Sequence, residues 1–358
     1  MFTRATDGTC LGELIDLAIP LCQAAAQRCP RTGPGRPPDY ADWQIAALIM
    51  VSVLKKRKSK SSQHRFLVQN QQALCDRLTL DCLPVRSTYF DRYKTAHAIF
   101  REAIALQGRK ALAEHVACAT TVSGDKSLLP ARGPKPPPKN PRYHCCKEPR
   151  RGLDQQAAWG YSPHDGWVWG YSYEVVVSAG PKGVVIPLLA SADVASANEH
   201  RTFAGKIARL PASTRNVLAD SGYDDNSFGE QIEFHGGSGK RSGRRFVCPP
   251  QSRGGKPAVG RWAHRGAREL RRQHRIARCR FYLSRRGRRL YALRQTSVEP
   301  FHQWFKQLFE LDERVWQRGV ENNQTQLLAA LFCYQLLVRY AHRHGRRDGQ
   351  IKWILDAL

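Results

Sequence analysis

Apolar residues recur with helical spacing through the first third of the chain. The stretch around residues 11–26 is broken by Glu13 and Asp16, which predicts an amphipathic helix. A Pro/Gly-rich linker follows, "PRTGPGRPPD" at 30–39. Beyond it "YADWQIAALIMVSVLKK" carries the long apolar stripe of a helix, with Asp39 or Asp42 placed to cap its start. A basic run at 55–65 leads into "SSQHRFLVQNQQALCDRL" and "RSTYFDRYKTAHAIFREAIALQGRKALAEH", Ser87 being the expected N-cap of the second. Residues 1–115 therefore read as an all-helical, basic N-terminal region.

The period changes near residue 116. "VACATTVSGD" is β-prone and ends on Asp125, and "SLLPARGPKPPPKNPR" reads as a Pro-rich basic loop. "GWVWGYSYEVVVSAG" and "GVVIPLLASADV" read as two strands around a Gly-Pro-Lys-Gly turn. "ANEHRTFAGKIARL" predicts a helix, "STRNVLADSGYDD" a strand and "NSFGEQIEFHG" a short helix. Such mixing indicates an α/β domain with hairpin pairing first and parallel pairing later. Helices are expected over 295–309 and over 322–344, the latter closing the domain at 345 and leaving 346–358 as a tail. The leucines of 322–344 and Phe332 suit a core.

Charge narrows the function. The net charge is +27 and the pI about 10.1, an excess that calls for a polyanionic partner. Nucleic acid is the first candidate, with a membrane surface or ribosomal RNA as rivals. Residues 240–289 concentrate the charge: sixteen arginines against one acid, Glu269. A solvated face or a disordered arm would account for such a block. Arginine dominates lysine there, which favours phosphate contact by a planar fork. Eleven cysteines, odd in number and without a CxxC pair, argue against a disulfide framework or a zinc ribbon. His144-Cys145-Cys146 is the one hint of a metal tract, and adjacent cysteines chelate poorly. The first apolar stretch carries two acids, unlike a signal peptide, and 327–337 is too short to span a bilayer. A soluble, cytoplasmic, nucleoid-associated protein is expected.

Two aspartates then stand out. Asp125 and Asp220 both follow β-prone runs, and ligand sites collect at the carboxyl ends of strands in such sheets. A carboxylate is costly to bury without a partner, so a base or a metal ion should meet each. Glu299 could supply a third acid from an otherwise apolar and aromatic helix (Val298, Phe301, Trp304, Phe305, Leu308). Lys306 lies two helical turns beyond Glu299 on the same face, with His302 between them. Three carboxylates holding two Mg²⁺ ions suit in-line phosphoryl transfer. Taken singly, a turn aspartate, a cap and a surface pair would explain these residues.

"TTVSGDKSLL", "VLADSGYDD" and "RQTSVEPFHQWFKQLF" resemble the three blocks of the DDE transposases of bacterial insertion sequences, the IS4/IS5-like group. The resemblance covers 116–344. It implies an RNase H-like mixed sheet flanked by helices, and a catalytic and metal-binding triad of Asp125, Asp220 and Glu299. Mg²⁺ is implied as cofactor, with Mn²⁺ able to substitute. The group's Tyr, Arg, Glu, Lys signature maps onto Tyr291, Arg294, Glu299 and Lys306. Four residues separate Arg294 from Glu299 where the usual pattern has three. Tyr291, Arg294 and Lys306 are thereby implied as DNA contacts. The 79 residues from Asp220 to Glu299 leave no room for a large inserted β domain, which places the chain near the compact IS5-like members. "GRPPDYADWQIAALIMVSVLK" and "LPVRSTYFDRY" resemble the N-terminal helical DNA-binding region of such proteins.

The activity implied is hydrolysis at element ends followed by attack of the 3′-hydroxyl on target DNA, in a homodimeric synaptic complex. Asp154, Asp193, Asp224 and Asp225 are rival acids, the last two suited to capping the next helix. Trp159, Trp167 and Trp169 could stack on a base, core packing being the plainer reading. Arg36 could enter a minor groove from its linker. Two alternatives remain: a catalytically dead remnant that only binds DNA, and a metal-dependent endonuclease without strand joining.

Overall fold

Thirteen helices and six strands are built by residues 7–30, 38–136, 151–180, 184–234, 240–251 and 267–358, the part that the computed structural model describes. The amphipathic stretch becomes α1 (Asp7–Arg28) and the long apolar stripe becomes α2 (Asp42–Leu54). α2 is buried from Gln44 to Leu54, so its apolar residues face neighbours on every side. Neither Asp39 nor Asp42 caps it. The side chain of Gln44 accepts from the Ala41 amide instead (2.8 Å), and Asp42 pairs with Arg92.

The next two expected helices are each divided in two. α3 (Lys60–Gln69) gives way to α4 (Gln71–Leu78) at Asn70, whose side chain bonds back to the Phe66 carbonyl (2.8 Å). α5 (Arg86–Thr95) gives way to α6 (His97–Ala113) at Ala96. Ser87 lies inside α5, and Val85 holds the cap position without a side-chain bond.

One mixed sheet follows. β1 (Thr121–Pro130) pairs antiparallel with β3 (Gly166–Ser178), which pairs antiparallel with β2 (Ala158–Ser162) and with β4 (Pro187–Val194). On its other edge β1 pairs parallel with β5 (Asn216–Leu218), and β5 with β6 (Arg245–Val247). Hairpin pairing thus precedes parallel pairing, as expected. Two expectations are corrected here. β1 runs five residues past Asp125, so Asp125 lies in mid-strand and not at a strand end. "SLLP", assigned to the loop, completes that strand; β2 was not foreseen.

Helices cover both faces. α7 (Glu199–Ile207) lies over β3, and α8 (Asn226–Glu233) lies over β6. On the other face, α11 (Val298–Leu308) touches β1, while α12 (Val320–Arg343) packs on β4 and on α1, α2, α5 and α6. α9 (Ala267–Leu283) and α10 (Arg285–Ala292) stand between α8 and the ends of β5 and β6. Of the expected tail, Ile351 and Ile354, either side of the start of α13 (Lys352–Ala357), are buried in the main core. That core is continuous from α1 to α13. Among the described residues no helix is long and apolar enough to cross a membrane, and the nine cysteines carry free thiols. His144-Cys145-Cys146 and Arg36 lie outside the described residues.

Candidate active site

β1 alternates its side chains between the two faces of the sheet. Gly124 faces α7, and a methyl group there would lie 1.7 Å from the Phe203 ring. Glycine at 124 is therefore what lets α7 seat against the strand. Asp125 points the other way, toward α11, and is 15% exposed.

Its partners come from far along the chain. The Arg294 guanidinium donates to Asp125 Oδ2 (2.6 Å) and, through its other terminal nitrogen, to Glu299 Oε1 (2.7 Å). His302 Nε2 stands 3.5 Å from Asp125 Oδ2, and its Nδ1 is 2.9 Å from the Tyr173 hydroxyl. Burial alone would raise the Asp125 pKa; His302, Arg294 and the Lys126 amide outweigh it and hold the carboxyl below its usual range. Arg294 is itself buried, and the surrounding acids keep it charged.

Asp220 follows the end of β5. Its Oδ1 accepts from the Gly222 amide (3.0 Å), so it caps the single turn of 3₁₀ helix Ser221–Tyr223. Burial and the negative charge of Asp125 push its pKa up, against the pull of Arg294. A buried strand is thus followed by a carboxylate that accepts from a turn amide and feels the charges of Asp125 and Arg294.

Glu299 is the odd member. It occupies the first turn of α11, where a helix favours an acid, and its side chain is 49% exposed. The inward residues of α11 are Val298, Phe301, Phe305 and Leu308, and Trp304 is exposed. Tyr291 packs edge-on to Tyr282 (5.3 Å), and its hydroxyl pKa is pushed up to about 12, first by burial. Lys306 does not join the acids. Burial lowers its pKa, and the nearby charges that oppose this are Asp165 and Asp312.

Several polar residues beside the acids carry no pattern in the sequence. Lys126 donates to the carbonyls of Ala195 (2.9 Å) and Ala197 (2.7 Å) and lies 3.8 Å from Glu199. Glu199 flanks the Asp220 turn: a methyl group on Gly222 would lie 3.1 Å from Asp220 Oδ1 and 3.2 Å from Glu199 Oε2. Burial raises the Glu199 pKa; Asp220 and Asp125 add to the rise, against Lys126. Deeper still, Glu174 accepts from Lys206 and from the Tyr223 hydroxyl (2.7 Å), and Lys206 also donates to Ser191 (2.7 Å). This buried network ties α7 and the Asp220 turn to β3 and β4. The one local signal was a lysine directly after Asp125; the partners are tens of residues away.

The rival acids have structural partners. Asp154 accepts from the Tyr171 hydroxyl (2.8 Å) and the Gly319 amide (3.1 Å). Asp225 caps α8, as expected, whereas Asp224 pairs with Arg275. Asp193 accepts from the Val194 amide (2.7 Å). Trp159 packs edge-on to Trp169, and Trp167 is exposed beside Tyr161.

Asp125 and Glu299 thus share one guanidinium, and Asp220 lies within its electrostatic reach. Among the described residues no three His, Cys, Asp or Glu side chains stand together as a metal-holding group. The donors themselves are hard carboxylate oxygens, the type that Mg²⁺ and Mn²⁺ take, so the set fits such an ion once the arginine yields its place. Compared with known proteins, residues 119–336 match the family model described as "Transposase DDE domain". The match covers more than half of the chain and includes every acid around Arg294. No curated protein matches the chain, and no solved structure does.

Proposed function

Because the chain belongs to the family of transposases with a DDE domain, we propose that Asp125, Asp220 and Glu299 are its catalytic and metal-holding triad. An enzyme of this family is a metal-dependent polynucleotidyl transferase acting on DNA. The finer reading is an IS4/IS5-like insertion-sequence transposase on an RNase H-like sheet, using Mg²⁺ or Mn²⁺. It cuts at element ends and joins the freed 3′-hydroxyl to target DNA, as a homodimer, with residues 1–115 binding the ends.

One observation carries the reading. Arg294 bridges an acid of β1 and an acid of α11, while the acid after β5 lies within electrostatic reach of Arg294 and of the β1 acid. Three elements far apart in sequence thereby converge on one spot. Divalent ions, when bound, supply activation of water or a 3′-hydroxyl and stabilise the leaving oxygen. The protein's own residues prepare the site. The His302 ring and Arg294 hold Asp125 ionised, and the Gly222 amide orients Asp220. Arg294 occupies the acids until DNA offers it a phosphate, which suits a planar bidentate fork. Tyr291, beside Arg294, contacts the same backbone, and Lys306 contacts DNA further out; Arg36 is a further DNA contact in this reading.

The test is strand cleavage on a duplex carrying the element's own end, with Mg²⁺, for the wild type and Asp220→Asn. Cleavage by the wild type, with binding but no cleavage by the variant, supports the triad. If neither protein cuts, with Mn²⁺ as well, and both bind alike, the chain is a DNA-binding remnant. Cutting without strand joining would make it an endonuclease.

A further inference from the structure

The arginine-rich block divides into two kinds of residue. Some arginines are committed to the fold: Arg275 pairs with Asp224, Arg278 with Glu233, and Arg245 lies over the Phe281 ring at 4.1 Å. Others are left outside. Arg280, Arg285, Arg286, Arg288 and Arg289 are exposed, and none has an ion pair among the described residues. The sequence offers them no local acid either, since 270–298 contains no Asp or Glu.

α10 is built to present the last four of them. Ser284 caps it, accepting from the Gly287 amide (3.1 Å). Gly287 is buried at the corner with α9, where a methyl group would lie 2.0 Å from the Phe281 carbonyl oxygen. The inner side of the hairpin, Tyr282, Leu290, Tyr291 and Leu293, packs over Ala179, Leu218 and Val247. Leu218 ends β5, two residues before Asp220. The outer side is four arginines in five positions, three of them in the first helical turn, where the backbone dipole disfavours cations. Such a ridge repels itself unless an anion lies across it.

We propose that the outer face of α10 is a docking surface for the phosphate backbone of duplex DNA beside the bond that is cut. The inference rests on the transposase reading and adds to it a surface outside the Tyr291, Arg294 and Lys306 set. Eight helical residues span about 12 Å, the length of about three to four phosphates along one strand. The ridge ends at Tyr291, next to Arg294, so a backbone laid on it runs to Asp125 and Asp220. α10 itself carries no carboxylate, which fits a polyanion and no mixed-charge protein partner.

The test uses the full chain and a labelled duplex of arbitrary sequence, with binding measured across a salt series without divalent ions. The variant Arg285→Gln/Arg288→Gln/Arg289→Gln should bind at least ten-fold more weakly at low salt. Its slope of log affinity against log salt should be shallower by about two to three, at roughly 0.9 per lost phosphate contact. The lysine triple at the same positions should keep most of the slope. Single Arg285→Gln and Arg289→Gln variants, each lowering the slope by about one, serve if the triple unfolds. An unchanged slope overturns the proposal, whatever the cleavage assay reads. A slope change seen with duplex RNA and not with DNA also overturns it. A shallower slope in a protein that never cuts leaves this surface standing and removes the catalytic reading.

Discussion

Arg294 stands between Asp125 and Glu299, two carboxylates of the proposed triad. A guanidinium placed between acids lowers their energy as ions, and it also repels any divalent ion that approaches them. If the proposed triad holds the metal, metal and arginine compete, and DNA would settle the competition by giving the arginine another anion. By linkage, DNA should tighten metal binding and metal should tighten DNA binding by the same factor. We expect Arg294→Gln, without DNA, to bind Mn²⁺ about ten-fold or more tightly than the wild type, a difference of about 1.4 kcal/mol per decade. The same variant should lose most of the DNA-dependent gain. Titration of Mn²⁺ by electron paramagnetic resonance, with and without a short duplex, reads both effects. Equal Mn²⁺ affinity of the two free proteins would mean that the arginine is no competitor. His302 gives a second residue-scale check. Removing its ring as His302→Ala should bring the Asp125 pKa up toward the normal carboxylate range, visible in the proton uptake that accompanies metal release.

Elements carry the acids to their places by close approach as much as by apolar burial. Gly124 is the clearest case, because its bare backbone receives the Phe203 ring of α7. Gly124→Ala should cost about 1–3 kcal/mol by overpacking. Phe203→Leu in the same chain should return part of that, a coupling that a double-mutant cycle by urea denaturation would measure. Strictly additive effects would place the two residues out of contact. The same elements show what the sequence could tell. β3, β4, β5, α8 and α12 were legible because their apolar runs match their final burial. The course of β1 beyond Asp125 was not, because Lys126 puts a charge in the strand. That charge is satisfied by Ala195, Ala197 and Glu199, which no local pattern announces. Helix ends failed for a related reason. Asp42 and Ser87 are good caps by type, but Asp42 is drawn to Arg92, and the chain enters α5 at Val85. Of the candidate site, the acids and Arg294 were proposed from block resemblance, whereas the arginine bridge and Glu199 arise only from the packing of α7 and α11.

At the scale of the whole molecule, a helical region and a mixed sheet share one core, and α12 joins them. Its Gln335 donates to the Ile104 carbonyl of α6 (3.0 Å) and to the Pro187 carbonyl of β4 (2.6 Å). One turn on, Arg339 is 1% exposed and grips both oxygens of Glu114, at 2.5 and 2.8 Å, while reaching Gln107 (2.7 Å). A buried arginine in a chain of charge +27 has few acids to meet, so this clasp matters more than a surface pair would. Burial tends to raise the Glu114 pKa, but Arg339 and Arg343 bring it from 4.5 down to about 2. The folded value lies below the unfolded one, so the ionised form stabilises the fold. Its contribution is complete above about pH 4.5 and fades as the pH falls toward 2. Glu114→Gln should therefore be less stable by about 1–2 kcal/mol at neutral pH, the partly exposed carboxylate being screened in part by solvent, since it leaves Arg339 buried without its counter-charge. The gap between wild type and variant should stay level from pH 8 to about 5 and then close through the acid range. Urea denaturation at a series of pH values measures that gap. A gap that stays constant down to pH 3 would show that the clasp works through shape and hydrogen bonding alone, with no part for the charge of Glu114.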